Sequence, residues 1–257
     1  MADTNWLKQL EEPLFPDILW SRPENRRHAG KLMIAGGHAQ SFSAPSRAFT
    51  AASKAGAGTI RILLPNSLQK TLGKAFPEAE FAASTPIGSF GRNALEPFLD
   101  LAAWSDGVLL AGDFGKNSET AVLLGNFIDK YDGQLNISGD VLDYFIGGSE
   151  KLINRPNTII TASFSQLQKL ATPYAALRQA ADLAQVVKLL SEWSSLIKLE
   201  IITGHSGQTI VACAGRVSTM SGDFSEGLAA YASVWRLQQS EKPFEALTTA
   251  VYCYAQS

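Results

Sequence analysis

Lys31-Leu32-Met33-Ile34-Ala35 is a short apolar run that closes on Gly36-Gly37 and leads towards Ser43-Ala44-Pro45. An apolar run stopped by two glycines predicts a strand entering a tight loop. Ser43 offers an N-cap, with Pro45 early in the first turn. The following residues include Ala48, Ala51, Ala52 and Ala55, whose small side chains suit a helix lying close against a sheet. Gly56-Ala57-Gly58 ends that helix, and Thr59 to Leu64 predicts the next strand. A strand, a covering helix and a second strand in this order imply parallel pairing.

The alternation continues in both directions. Helices are predicted near 67–75, 93–103, 118–131, 163–171 and 173–192, with Thr172-Pro173 as a start signal for the last. Strands are predicted near 80–84, 107–111, 134–138 and 157–161. Those near 196–203 and 208–213 form a hairpin across Gly204-His205-Ser206-Gly207. Two helices, near 223–237 and 242–255, finish the chain. The pattern predicts a three-layer α/β/α fold, its central sheet mostly parallel with a late antiparallel hairpin. Residues 1–27, with Pro13, Pro16, Pro23, Trp6, Phe15 and Trp20, are expected to form an arm packed on a single domain spanning 28–257.

Composition narrows the function. Of the 257 residues, 46% are hydrophobic and 18% charged, which suits a globular core with buried strands. A formal net charge of -2 argues against a nucleic-acid surface, and Arg26-Arg27-His28 is too short a basic cluster to restore one. Cys213 and Cys253 sit in apolar contexts and are expected to be free thiols. No C-x-x-C spacing exists, so a structural zinc site is not expected. The polar, acidic start and the lack of a membrane-length apolar run make the cytoplasm the expected compartment.

Several motif-like strings lack their context. Gly56-Ala57-Gly58 follows a helix, not a strand, which disqualifies it as a dinucleotide fingerprint. Asp113-Phe114-Gly115 lacks the companion motifs of a kinase metal site. His28, His38 and His205 are scattered, and no metal ligand set is assigned.

The stretch Thr219-Met220-Ser221-Gly222-Asp223 carries more chemistry. Before a helix, a glycine admits a ligand to the backbone, and unpaired first-turn N–H groups attract anions. Asp223 could take a proton from a hydroxyl that attacks a phosphoryl group, while the N–H groups stabilise the transferred charge. A plain capping role, with Glu226 completing a capping-box-like pair, accounts for the local residues equally well.

In order and spacing, the landmarks resemble the ADP/ATP-dependent NAD(P)H-hydrate dehydratases of the ribokinase-like superfamily. The resemblance rests on Arg27-His28-Ala29-Gly30-Lys31 to Gly36-Gly37-His38, on Ser41-Phe42-Ser43-Ala44-Pro45 to Gly56-Ala57-Gly58, and on Pro77-Glu78. It continues through Ala111-Gly112-Asp113-Phe114-Gly115, Ser138-Gly139-Asp140-Val141-Leu142 and Met220-Ser221-Gly222-Asp223 with Gly227.

This resemblance implies phosphorylation of the hydroxyl on hydrated NADH or NADPH from ADP or ATP with Mg2+, then loss of phosphate. It implies Asp223 as base, and Ser221, Gly222, Thr203, Gly204, His205 and Ser206 beside the nucleotide. Ala44, Gly112, Asp113, Gly115, Asp140 and Ser163 would face the hydrated substrate, in a homo-oligomer.

The chain departs from the family pattern at the site. Ser41-Phe42-Ser43 replaces Tyr-Thr-Gly, and Asp113 replaces a glycine. Ser138 replaces an aspartate, Ser163 and Gln166 stand in a stretch that loses a histidine and a glutamate, and Thr203 replaces a lysine. Asp113 would repel a dinucleotide's phosphates or recruit magnesium, whereas Ser163 and Gln166 make a capping box. A small-molecule kinase and a catalytically degenerate binding protein are therefore the alternative functions.

Overall fold

The computed structural model describes residues 5–74, 76–172, 177–180 and 182–257. Ten strands form one sheet: β1 (Trp6–Gln9), β2 (Lys31–Gly36), β3 (Thr59–Pro65), β4 (Ala79–Ala82), β5 (Gly107–Gly112), β6 (Gln134–Ser138), β7 (Thr158–Ser163), β8 (Leu199–His205), β9 (Gln208–Cys213) and β10 (Arg216–Ser221). Their spatial order is β1-β10-β9-β8-β7-β6-β5-β2-β3-β4. All neighbouring pairs are parallel except β8 with β9 and β9 with β10.

The α-helices are α1 (Pro16–Trp20), α2 (Ser43–Lys54), α3 (Gln69–Leu72), α4 (Leu95–Trp104), α5 (Ser118–Lys130), α6 (Glu150–Ile153), α7 (Phe164–Ala171), α8 (Leu183–Leu196), α9 (Leu228–Gln238) and α10 (Pro243–Ala255). Alternate residues of a strand face opposite sides, and the core divides accordingly. Met33 and Ala35 of β2 join the cluster with Phe98, Phe127, Leu167 and Leu190, from α4, α5, α7 and α8. Leu32 and Ile34 join the cluster with Ala48, Ala52, Val234 and Trp235, from α2 and α9. The third cluster seats α10 through Phe244 and Leu247 against Ile202 and Val211. The fold is the expected three-layer α/β/α architecture around a mostly parallel sheet.

Polar groups inside this core position α9. Asn136 of β6 is fully buried. Its Nδ2 donates to the Ala229 carbonyl at 2.8 Å and to Ser233 Oγ at 3.1 Å. Gln134 Nε2 donates to the Ser233 carbonyl at 2.9 Å. A buried amide side chain needs its partners, so β6 fixes both the height and the rotation of α9. Ala229, Ala230 and Ser233 are small enough to allow that approach.

Four differences from the expected elements matter. The last-but-one helix begins at Leu228 and not near 223, because a tight turn at Ser225–Gly227 precedes it. The helix expected over 173–192 is α8, which starts after Asp182, whose side chain accepts from the Gln185 N–H at 2.8 Å. Pro173 itself lies outside the described residues. Ser43 is the first residue of α2 and not its cap, since Phe42 holds the N-cap position without a side-chain bond.

The fourth difference is β10, a strand the sequence pattern does not predict. Its polar side chains are paired: Ser218 Oγ with Thr248 Oγ1 at 2.8 Å, and Thr219 Oγ1 with the Trp6 indole N–H at 3.0 Å. The same bond anchors β1, so residues expected in a packed arm add a strand to the sheet edge. The capping box at Ser163 and Gln166 is present as expected. Among the described residues, no helix is long and apolar enough to cross a membrane.

Candidate functional site

Because β9 is antiparallel to β8 and to β10, β10 runs in the direction of the parallel strands. Ser221 therefore reaches the same sheet edge as Gly36, Gly112, Ser138, Ser163 and His205. This is the carboxyl-end edge, where open α/β sheets place ligands. All thirteen residues expected at the site lie along it, but they fall into two neighbourhoods.

The first surrounds the loop after β5. A Cβ on Gly36 would stand 2.5 Å from the Gly112 carbonyl oxygen, so the β2 and β5 ends approach only because Gly36 is a glycine. Asp113 follows in a left-handed conformation, φ 60°. Its Oδ2 accepts from Ser41 Oγ at 2.7 Å, Ser43 Oγ at 3.2 Å and the Ala44 N–H at 2.8 Å. The carboxylate thus sits at the start of α2 and satisfies an end that Phe42 leaves uncapped.

Burial pushes the Asp113 carboxyl up, but the Ala44 N–H, the two hydroxyls and His38 outweigh it and hold the group below its ordinary value. Asp140, at the end of β6, accepts from the Phe114 N–H at 3.2 Å and the Gly115 N–H at 2.9 Å. There burial wins over those bonds and raises the carboxyl. Tyr144 donates to the Gly115 carbonyl at 2.5 Å, and His38 Nδ1 lies 2.9 Å from the Asp113 carbonyl. The polar groups of the 113–115 loop are largely engaged within the protein.

The second neighbourhood is the β8–β9 hairpin and the end of β10. Ser206 and Gly207 both have positive φ, 50° and 68°, as a two-residue primed turn requires. The Gly222 N–H donates to the Gly207 carbonyl at 3.0 Å, and Gln208 Nε2 donates to Ser221 Oγ at 3.0 Å. The amide expected to hold phosphate at Gly222 is therefore spent on the hairpin. Thr203 is fully buried, with a hydroxyl that finds no partner among the described residues. Phe224 covers Gly204, where a Cβ would meet Phe224 Cβ at 2.3 Å. The His205 ring rests 4.4 Å from that of Phe164. Ser163, paired with Gly204 in the β7–β8 register, keeps its hydroxyl in the cap of α7.

Asp223 is exposed and has no hydrogen-bond or ion partner among the described residues. The N–H groups of Leu228, Ala229 and Ala230 bond back to Ser225, Glu226 and Gly227, and the Gly227 N–H takes Ser225 Oγ at 3.3 Å. Those amides are not available to a ligand. The four before them, on Asp223, Phe224, Ser225 and Glu226, have no acceptor among the described residues. The structure thus shifts the unpaired amides from the helix to the loop that precedes it.

Glu226 and Arg47 are the functional candidates that sequence reasoning passed over. They approach to 3.7 Å across the space between α9 and α2. Arg47 and Lys54, seven residues apart and so on one face of an otherwise alanine-rich helix, were the available signal.

Magnesium usually binds through one or two carboxylates together with substrate phosphates. Asp113 commits Oδ2 to three donors and Asp140 commits each oxygen to an amide, so both suit that role less well than Asp223. Asp223 does fit, as an exposed, unpartnered carboxylate beside unpaired amides. Among the described residues no group of three or more His, Cys, Asp or Glu side chains could hold a metal by itself.

The sheet order and the late hairpin are those of a ribokinase-like fold. A ribokinase-like superfamily protein from Enterococcus faecalis superposes with a TM-score of 0.75 at 17% identity, covering 100% of this chain and 88% of that one. The ADP/ATP-dependent NAD(P)H-hydrate dehydratase from Bacillus subtilis, co-crystallised with ATP/Mg2+, gives a TM-score of 0.64 at 14% identity over 96% of this chain and 89% of that one. No family model matches the sequence. The bifunctional NAD(P)H-hydrate repair enzyme Nnr of Moorella thermoacetica is 24% identical over 211 residues, 78% of this chain. The match spans only 40% of that protein's length. The chain thus has a ribokinase-like fold, and its sequence is similar at 24% identity to two bifunctional NAD(P)H-hydrate repair enzymes, of which it spans less than half the length.

Proposed function

We propose that the protein repairs hydrated NADH or NADPH, phosphorylating the ring hydroxyl from ADP or ATP and releasing phosphate to regenerate the reduced cofactor. The observation that supports this most is the run of four unpaired amides at Asp223–Glu226, with the unpartnered Asp223 carboxylate among them. Asp223 would take the proton of the attacking hydroxyl. The neighbouring amides would receive the charge that develops on the transferred phosphoryl group. Gly204, His205 and Ser206, with Ser221 and Gly222, would form the nucleotide side through backbone and rim contacts. Ala44, Gly112, Asp113, Gly115, Asp140 and Ser163 would bound the substrate side. Asp223 is also the residue that would hold magnesium, which would supply charge neutralisation when bound. The active form would be a homo-oligomer, as the resemblance implies, and cytoplasmic, as the composition suggests.

A second reading, a binding protein without turnover, draws on a specific observation. Asp140 engages the Phe114 and Gly115 amides, and Asp113 the Ser41, Ser43 and Ala44 donors, that a substrate would otherwise use.

The decisive measurement is recovery of reduced-nicotinamide absorbance after the protein is mixed with hydrated NADH, Mg2+ and ADP or ATP. Nucleotide-dependent recovery is expected, and Asp223→Asn should reduce it by about 10²- to 10⁴-fold with an unchanged melting temperature. Full activity in that variant would remove Asp223 as the base. Nucleotide binding without recovery would favour the second reading.

A further inference from the structure

Beside the carboxyl-end edge lies an open groove of about 650 Å³ between α2, the Ser225–Gly227 turn and the end of α10. Its volume falls within the range of small-molecule sites. Arg47 and Lys54 of α2 line it, as does Glu226, so its charged side chains bring two cations against one carboxylate. Ser225 and Glu226, two of the four residues with unpaired amides, form the opposite wall. Tyr254 supplies an aromatic surface, and its hydroxyl bonds Ser225 Oγ at 2.8 Å, which fixes that wall.

Below the groove, Ala44, Ala111 and Ser138 line a constriction of only about 10 Å³. That is hardly room for one water. Arg47, Glu226 and Gly227 border both spaces.

We propose that this groove is a binding site for a small molecule carrying a diphosphate. Arg47 and Lys54 hold the diphosphate, the amides of Ser225 and Glu226 face it, and the Arg47–Glu226 pair separates groove from constriction. A phosphate on Arg47 competes with Glu226, so ligand binding loosens the pair that closes the way to the sheet edge. Both reactants of the repair reaction carry a diphosphate, so the site deepens that reading and rests on it for its natural ligand. Its affinity for the diphosphate stands on the groove's own geometry.

The test is titration calorimetry of the full chain with inorganic pyrophosphate, ADP and NADH, with no hydrated substrate present. Pyrophosphate should bind the wild type. Arg47→Gln and Lys54→Gln should each weaken it by about tenfold, the size of one charge-assisted contact. Glu226→Gln should tighten it severalfold by releasing Arg47.

Competition then identifies the source: displacement of pyrophosphate by ADP alone assigns the groove to the nucleotide, and displacement by NADH assigns it to the dinucleotide. Absent pyrophosphate binding, affinities unmoved by Arg47→Gln and Lys54→Gln, or weakening in Glu226→Gln would each overturn the site. Loss of the repair reaction alone would not, since none of these titrations depends on turnover.

Discussion

Asp113 shows how one substitution can both complete a fold and alter a site. In its left-handed conformation a non-glycine residue is strained, and its three carboxylate bonds compensate. Asp113→Asn should destabilise the protein by roughly 1–2 kcal/mol, a figure reduced by partial exposure to solvent. The folded-state carboxyl lies below the ordinary aspartate value of 3.8. Its stabilisation is thus present above that value and fades as pH falls through the lower folded one. Denaturant melts of wild type and variant should converge at acid pH, and a constant gap would refute the assignment.

The cysteines give a second check at this scale. Burial pushes the Cys213 thiol up to about 12, with Glu200 adding to the shift. Cys253 is also raised by burial but is partly exposed. Alkylation of the native protein should label Cys253 first, with Cys213 reacting only on unfolding. Equal rates would contradict the burial of Cys213.

At the scale of elements, the parts legible in the sequence were those with strong periodic patterns and ordinary punctuation. β2, α2 and β3 followed from an apolar run, a row of alanines and flanking glycines. β10 escaped because its buried Ser and Thr are satisfied by partners far along the chain, Thr248 and Trp6, and because its turn uses Ala214 at φ 49°. The start of α9 is displaced for a related reason: Asp223 and Glu226 imitate a cap, whereas the helix is entered through the Ser225–Gly227 turn with no side-chain cap bond. The site inherited both errors, since the Gly222 amide is committed to a hairpin that sequence spacing could not pair with it. Asn136 decides where α9 lies, and Asn136→Ala should cost about 2–4 kcal/mol, combining lost bonds with carbonyls left unsatisfied. Thermal denaturation measures this, and a loss under 0.5 kcal/mol would show that α9 is held by packing alone.

At the scale of the molecule, the sheet has two edges, β1 and β4. β1 shields β10, and Gln9 then turns the chain away by bonding the carbonyls of Leu10 and Glu12 and the Leu14 N–H. An uncovered strand edge invites pairing with another chain. A variant lacking residues 1–12 should therefore self-associate in light scattering at concentrations where the full chain does not, and an unchanged particle size would show that β1 is dispensable as a cover.

The two walls of the narrow space over Ala111 and Ser138 differ in stiffness. α9 is held to β6 by buried bonds from Gln134 and Asn136, whereas the side-chain bonds to the start of α2 come from a partly exposed carboxylate, Asp113. The space consequently works like a vice with one fixed jaw and one spring-loaded jaw. Any widening is expected through α2, and the force needed is set by a latch on the substrate side of the proposed site. Distance labels on α2 and α9 would register the stroke, while a pair on α9 and β6 would stay still.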